Sequence, residues 1–484
     1  MSPTDHPSPL DRLFRPRSVA ILGASDDPNR ISGRPLRYIK EGGFKGGLYP
    51  INPNRTEVQG LKSYARLADL PEVPDVALLA LPASATEQAV VDCVAAGGGA
   101  AVIFSAGYAE ADEAGRALQD SIRAIAAAGG LRLLGPNCLG LFNASLGFFG
   151  TFTQSLDRGV PPPGPIAIVS QSGAYGSHLA LLARRRGLGV DYWITTGNES
   201  DIEVSECLEW LAQRPEVKVV MAYVEGVRDG ERFIRALEAA RLARKPVVLM
   251  KVGRSEVGAR AASSHTAALA GSDAIYDTIC RQYGVHRAET TEEQIDIAYA
   301  CARGLFPVGD RLGIVTLSGG VGVQMSDAAA RHGLDVAPMP LAAQKRLKDL
   351  LPYAAVENPV DTTAQALNDM GLLEENLRVM LAEGGYDALI GFFTSVPATR
   401  TLSEPLRNAI RAGTSAFPDR LIVLSMVADA EIVRTYEDDG FLVFEDVDRG
   451  IAAIAALHRF AEAFARPAPL PRTIASGTAS AGLG

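Results

Sequence analysis

The chain has 484 residues, 47% hydrophobic and 21% charged, with a formal net charge of −9. That length accommodates about three domains at roughly 150 residues each, and the acidic balance excludes a nucleic-acid surface. Five scattered cysteines (Cys93, Cys138, Cys207, Cys280, Cys301) without C-x-x-C spacing argue against a disulfide framework or a zinc site.

The N-terminal stretch Met1–Pro9 lacks an apolar run of signal-peptide type, and no stretch approaches the roughly 20 uncharged apolar residues of a membrane helix. The expected compartment is the cytoplasm, with no membrane partner. Short β-rich apolar runs then alternate with helical stretches, the pattern of parallel α/β layers. Ser18–Leu22, Gly47–Ile51, Val76–Leu81, Ala101–Phe104 and Leu131–Leu134 predict the strands of a first unit over residues 1–150. The stretch Gly159-Val-Pro-Pro-Pro-Gly-Pro165 marks a boundary. A second unit, 160–305, runs through Ile166–Val169, Val219–Val224 and Pro246–Met250. A third, 310–465, opens at Gly313–Leu317 and continues through Ala388–Phe393 and Leu421–Ser425. Residues 466–484, rich in Pro, Ala, Gly and Ser, read as a disordered tail.

In the first unit, the loop Gly23-Ala-Ser-Asp-Asp-Pro-Asn-Arg-Ile-Ser-Gly33 stands where a dinucleotide site would carry G-x-G-x-x-G, and that motif is absent. An acid that would bind ribose hydroxyls at the end of strand two is replaced by Asn52-Pro-Asn-Arg55. A basic side chain there suits a phosphorylated ribose, as in NADP or coenzyme A. The second and third units share one design: Ile168-Val-Ser-Gln-Ser-Gly-Ala-Tyr-Gly176 and Ile314-Val-Thr-Leu-Ser-Gly-Gly-Val-Gly322 each combine a strand, a Ser-Gly turn and a following helix. Such a turn exposes backbone N–H groups at the positive end of a helix dipole, where phosphate binds. Repetition of the turn suggests paired flavodoxin-like domains.

One histidine stands apart. His265 lies in Arg260-Ala-Ala-Ser-Ser-His-Thr-Ala-Ala-Leu-Ala-Gly-Ser272, among small residues, downstream of a strand-like run ending near Lys251. A Gly/Ala/Ser loop carrying a single imidazole reads as a mobile arm, and a nucleophilic histidine is an established device of covalent catalysis. Glu225 follows Val219–Val224, at a strand's C-terminal end where α/β sites gather. Cys138, His178 and His286 are expected to be structural.

In combination, these motifs resemble the nucleoside-diphosphate-forming acyl-CoA synthetases, relatives of succinyl-CoA synthetase. Val19-Ala-Ile-Leu-Gly-Ala-Ser25 resembles the family's CoA-domain opening, and Gly135-Pro-Asn-Cys-Leu-Gly140 its G-P-N-C-x-G signature. Ser170-Gln-Ser-Gly173 resembles the turn that begins its ligase domain. Ser263-Ser-His-Thr-Ala267 resembles the phosphohistidine loop of the ADP-forming branch, with Ala267 where glycine is more common. The resemblance implies a Rossmann-like CoA-binding domain followed by two flavodoxin-like domains. It places Gly23, Ser25 and Arg55 on the nucleotide and phosphates of coenzyme A, Pro82 and Ser105 along its path, and Asn137 near its reactive end. It places Ser172 and Gly173 on the phosphoryl group, His265 as its carrier, and Glu225 as the acid that orients the imidazole. A carboxylate on one ring nitrogen fixes the tautomer and leaves the other nitrogen nucleophilic.

The family's reaction also needs an ATP-grasp module of roughly two hundred residues, for which the three units leave no segment. The resemblance therefore implies an α subunit that works with a separate ATP-grasp β subunit in a heterotetramer. ATP or ADP and Mg2+ would be handled there, with no metal site on this chain. The rival readings are a non-catalytic CoA-binding sensor or scaffold, and an acyl or carbamoyl transferase on the same scaffold. A NADP-dependent oxidoreductase ranks behind both.

Overall fold

The structure is a computed structural model that describes residues 8–258, 260 and 273–467. His265 and its flanking loop lie outside the described residues, as do residues 468–484 of the expected tail.

Each strand-helix unit returns the chain over one sheet face before the next strand is laid down, which makes the main ladders parallel. In the first sheet β1 (Ser18–Leu22), β2 (Gly47–Ile51), β5 (Val76–Leu79), β6 (Ala100–Ile103) and β7 (Arg132–Leu134) take the order β2-β1-β5-β6-β7. A small antiparallel ribbon, β3 (Glu57–Val58) with β4 (Leu61–Lys62), lies apart. Every residue of β1, β5 and β6 is buried, as expected where helices cover both faces.

The second sheet holds β8 (Gly140–Asn143), β9 (Phe148–Thr151), β10 (Ile166–Ser170), β11 (Val190–Thr195), β12 (Val219–Val224), β13 (Val247–Lys251) and β14 (His286–Arg287). Its order is β14-β13-β12-β10-β11-β8-β9. The hairpin β8–β9 falls within the expected first unit, yet it pairs antiparallel with β11 and completes the second sheet. Phe142 stacks on Trp193 at 5.5 Å, so the hairpin buries its aromatic face there. The third sheet runs β16-β15-β17-β18-β19, with β15 (Leu312–Thr316), β16 (Val360–Asp361), β17 (Ala388–Thr394), β18 (Leu421–Met426) and β19 (Leu442–Phe444).

Two joints fix the units against each other. Between the first and second, Phe14 meets Trp210 at 4.7 Å, and Trp210 Nε1 donates to Asp11 at 2.9 Å. Arg132 donates to Asp201 and to Glu206, and Glu206 is only 5% exposed. Arg232 also reaches Glu206 at 3.0 Å, so that buried carboxylate is held by two guanidinium groups. Between the second and third, helix Thr291–Ala302 packs on helix Val447–Ala465, where Arg449 grips Asp296 at 2.6 and 2.7 Å. Beside this joint lies a cavity of about 740 Å³, whose walls include His286, Phe460 and His332. His332 is the last residue of helix Gly319–His332, so this cavity lies at the opposite end of that helix from its Ser-Gly turn. No helix of the described residues is long and apolar enough to cross a membrane.

Candidate active site

The sequence-marked residues of the first unit collect at the C-terminal ends of its parallel strands. Gly23 follows β1 with φ +79°, and a Cβ there would stand 2.7 Å from the Ala80 carbonyl oxygen, so only glycine fits. Ser25 accepts the Asp27 N–H at 3.2 Å, which shapes the loop beyond it. Arg55 lies 3.4 Å from Asp26, with both side chains about half exposed. A surface pair of that kind is worth about 0–1 kcal/mol, little enough for a ligand phosphate to replace the carboxylate.

Pro82 precedes a short 3-10 turn and accepts the Ala85 N–H at 2.9 Å. The Ser105 hydroxyl lies 3.1 Å from the Tyr108 hydroxyl, and its carbonyl accepts the Asn137 N–H at 2.9 Å. Asn137, at φ +55°, donates to Asn198 of the second unit at 3.3 Å.

At the second sheet, β10 ends in Ser170 and the chain turns through Gln171 into helix Gly173–Arg185. Ser172 is the N-cap and accepts the Tyr175 N–H at 3.3 Å, while the Ser170 hydroxyl donates to the Ser172 carbonyl at 2.6 Å. A Cβ on Gly173 would come within 2.5 Å of the Leu139 side chain, so glycine lets the hairpin close over the helix end. A cavity of about 220 Å³ opens there, with Asn137, Gln171, Ser172 and Gly173 in its walls beside Phe104 and Phe152. The structure thus brings Asn137 together with Ser172 and Gly173. Gly23, Ser25, Arg55, Pro82 and Ser105 lie at neighbouring strand ends, outside those walls. Cys138 also lines the cavity, but burial pushes its thiol up to about 12, so no thiolate forms at neutral pH.

Glu225 directly follows β12, which pairs with β10 on one side and β13 on the other. It is 6% exposed, and its N–H donates to Gln171 Oε1 at 2.5 Å. Gln171 in turn donates to the Gly226 carbonyl at 2.7 Å and to Glu199 at 2.8 Å. Lys251 ends β13 in register with Val224, buried with its Nζ 4.6 Å from the Tyr276 ring, and burial lowers its basicity. The segment that carries His265 therefore leaves from the strand beside Glu225 and re-enters the described chain at Asp273, which is ion-paired to Arg287.

Gln171, Glu199 and Lys251 are residues that sequence reasoning passed over. Gln171 is flanked by the two serines of a marked turn, and Lys251 ends an otherwise apolar run, so each left a weak signal. Glu199 left none, because the contact that links it to the turn, with Gln171, joins segments 28 residues apart.

The third unit repeats the turn in detail. Thr316 closes β15, its hydroxyl donates to the Ser318 carbonyl at 3.0 Å as Ser170 does to Ser172, and helix Gly319–His332 follows.

Comparison with known proteins agrees with this geometry. Residues 17–144 match the CoA binding domain family, and residues 163–301 match the succinyl-CoA ligase like flavodoxin domain family. The α subunit of ADP-forming acetate–CoA ligase II from Pyrococcus furiosus is 32% identical over 455 residues, covering 93% of this chain and 97% of that protein. This chain is an α-subunit-type member of the ADP-forming acyl-CoA synthetase family. ADP-forming acetate–CoA ligase I of Archaeoglobus fulgidus, also 32% identical, is a longer member: the match spans 94% of this chain and 64% of the relative. A trans-feruloyl-CoA synthase is 35% identical over 93% of this chain and 64% of its own length, its source given only as an unknown prokaryotic organism. The family thus includes relatives named for acids of different size. Among solved structures, the dinucleotide-forming acetyl-coenzyme A synthetase 1 of Ca. Korarchaeum cryptofilum, in complex with phosphate and ADP, superposes with a TM-score of 0.85. It is 32% identical, with 94% of this chain and 97% of that one covered. The synthetase family's activity is acid–thiol ligation, and the match to the CoA binding domain family supports coenzyme A as the ligand of the first unit.

Proposed function

We propose that this chain supplies the CoA-binding and phosphoryl-carrying half of an ADP-forming acyl-CoA synthetase, with the nucleotide handled by a separate ATP-grasp β subunit in a cytoplasmic hetero-oligomer. Mg2+ accompanies the nucleotide on that partner. In the synthetic direction an imidazole nitrogen of His265 takes the γ-phosphoryl group of ATP, forming an N–P bond as ADP leaves. A carboxylate oxygen of the acid then attacks phosphorus, the N–P bond breaks, and an acyl phosphate results. The CoA sulfur attacks the acyl carbon, the C–O bond to phosphate breaks, and inorganic phosphate departs.

One observation carries this reading. In a single cavity, Asn137 of the CoA-binding unit faces the Ser172–Gly173 turn of the ligase unit, with the Glu225 backbone held just behind by Gln171. Phosphoryl transfer depends mainly on positioning and electrostatics, and the helix N-terminus offers N–H donors where negative charge collects. Glu225 orients the His265 ring and stabilises the cation that phosphorylation creates. Gly23, Ser25 and Arg55 hold the nucleotide part of CoA, Pro82 and Ser105 line its path, and Asn137 meets the thiol end. A non-catalytic CoA sensor would leave the buried Glu225 and the His265 loop without a task.

The assignment of the first unit is tested by calorimetric titration. Wild type should bind CoA and ignore NADPH. Arg55→Glu places like charge beside the ribose phosphate and should weaken CoA about tenfold while changing dephospho-CoA less than about twofold. Equal losses for the two ligands would remove Arg55 from that role.

A further inference from the structure

Behind Glu225 runs a directional chain of hydrogen bonds. Gln171 Oε1 accepts two backbone N–H groups, those of Glu225 at 2.5 Å and Gly226 at 3.1 Å. Its Nε2 donates to the Gly226 carbonyl at 2.7 Å and to Glu199 Oε2 at 2.8 Å. A backbone N–H only donates and a carbonyl only accepts, so these partners leave the amide a single orientation. Glu199 is filled from both sides as well: Oε1 accepts the Thr196 hydroxyl at 2.9 Å and the Val204 N–H at 2.8 Å, while Oε2 accepts Gln171.

Three donors converge on the two Glu199 oxygens, a pattern that favours the carboxylate over the acid. A proton on Oε2 would weaken that oxygen as an acceptor for the Gln171 NH2, and a proton on Oε1 would turn the Thr196 hydroxyl from donor to acceptor. Turning the Gln171 amide to receive the Oε2 proton would set its NH2 against the N–H groups of Glu225 and Gly226. The loop is built to hold Glu199 there. Glu199 has φ +54°, unusual for a residue with a side chain, and Arg228 clamps the carbonyls of Asn198 and Glu199 at 2.8 and 2.5 Å.

We propose that Glu199 is a positioning residue: its ionised form holds the Gln171 amide in the orientation that fixes the Glu225 backbone, and so sets the carboxylate that orients His265. The inference rests on the function proposed above for His265 and Glu225. It makes phosphohistidine formation depend on a proton that never touches the substrate.

The surroundings place that proton in the working pH range. Burial pushes the Glu199 carboxyl up to about 7, opposed by its bonds from Val204, Gln171 and Thr196 and reinforced by Glu203 on the same loop. Around it, Arg228 comes from the loop after β12, Glu225 from that strand's end, and Cys207 from helix Val204–Ala212. Glu110 of the first unit accepts from the neighbouring Asn198. Glu199 is ionised above its pKa, so the clamp holds at high pH and is lost as pH falls through about 7.

The test is the pH dependence of a ratio. Wild type and Glu199→Gln, with Glu225→Gln as reference, are incubated with inorganic phosphate and a panel of thioesters from acetyl-CoA to feruloyl-CoA. Phosphate on His265 is followed by intact-mass spectrometry. Glutamine carries an NH2 where the neutral acid carries its proton, so Glu199→Gln mimics the protonated state at every pH. The wild-type to Glu199→Gln rate ratio should be near one at about pH 5.5 and rise to about tenfold at about pH 8.5, with a midpoint near 7. A ratio that is constant over that range would mean that Glu199 only packs, and overturns the proposal. Should Glu199→Gln fail to fold, Thr196→Val removes one donor to the carboxylate and should move the wild-type acid limb up by about half a unit. An unmoved limb overturns the proposal equally. A wild-type chain that never acquires phosphate overturns the functional reading, and this inference with it.

Discussion

The second and third units carry the same turn at the end of equivalent strands, and the two are furnished differently. In the second unit the neutral amide of Gln171 lies in the turn, Glu199 is held behind it, and Glu225 stands at the end of the adjacent strand. Register places the third unit's counterpart of Glu225 at Ser395: Ser170 pairs with Tyr223 as Thr316 pairs with Phe392, and a bulge at Phe393 sets Thr394 opposite Met426 as Val224 is opposite Lys251. The only acid close to the third turn among the described contacts of Gly319 is Asp361, on the opposite neighbouring strand, with Oδ2 3.0 Å from where a Cβ on Gly319 would stand. A carboxylate near a helix N-terminus is favourable by about 0.3–1 kcal/mol, and it repels an incoming phosphate. A strand, a Ser-Gly turn and a helix are therefore a scaffold. On the function proposed above, the groups on the flanking strand ends distinguish the turn that receives a phosphoryl group from the one that does not.

The largest expected effect follows from Glu225, the acid at the end of the strand beside the second unit's turn. Glu225→Gln keeps the side chain's shape and removes its charge, and should slow His265 phosphorylation about 100-fold without changing the thermal midpoint. Ser395→Ala, at the matching place in the third unit, should change the rate less than about twofold. Comparable losses in the two variants would erase the distinction.

A smaller effect separates the caps. Ser172 caps its helix through the Tyr175 N–H, whereas the Ser318 side chain makes no capping bond. Ser172→Ala should cost about 1 kcal/mol of stability in denaturant unfolding, and Ser318→Ala only a few tenths. A loss at Ser318 as large as that at Ser172 would show that the two turns are held alike.

Much of this architecture was legible in the sequence, for a physical reason. Strands buried on both faces read as uninterrupted apolar runs, so β1 and β12 fall on the residues their runs mark, and several others differ by a residue or two at an end. The hairpin β8–β9 was not legible, since Gly140–Asn143 and Phe148–Thr151 follow the first unit in sequence while their partner, β11, lies some 40 residues further on. The turn Ser170–Gly173 was legible because its chemistry is local. The network behind it was not. Gln171, Glu199 and Glu225 lie far apart along the chain, and only folding sets one amide against a buried carboxylate and two backbone N–H groups.

The division of labour between this chain and its partner can be tested in one vessel. On the function proposed above, this chain's CoA-binding unit, Ser172–Gly173 turn, Glu225 and His265 segment are the parts for the half-reaction that starts from a thioester. Incubated without a partner, with inorganic phosphate and the thioester panel, it should acquire an acid-labile, base-stable phosphate detected by intact-mass spectrometry, and His265→Ala should acquire none. ATP alone should leave wild type unlabelled. Labelling that survives in His265→Ala, or robust labelling of wild type by ATP alone, would contradict the account.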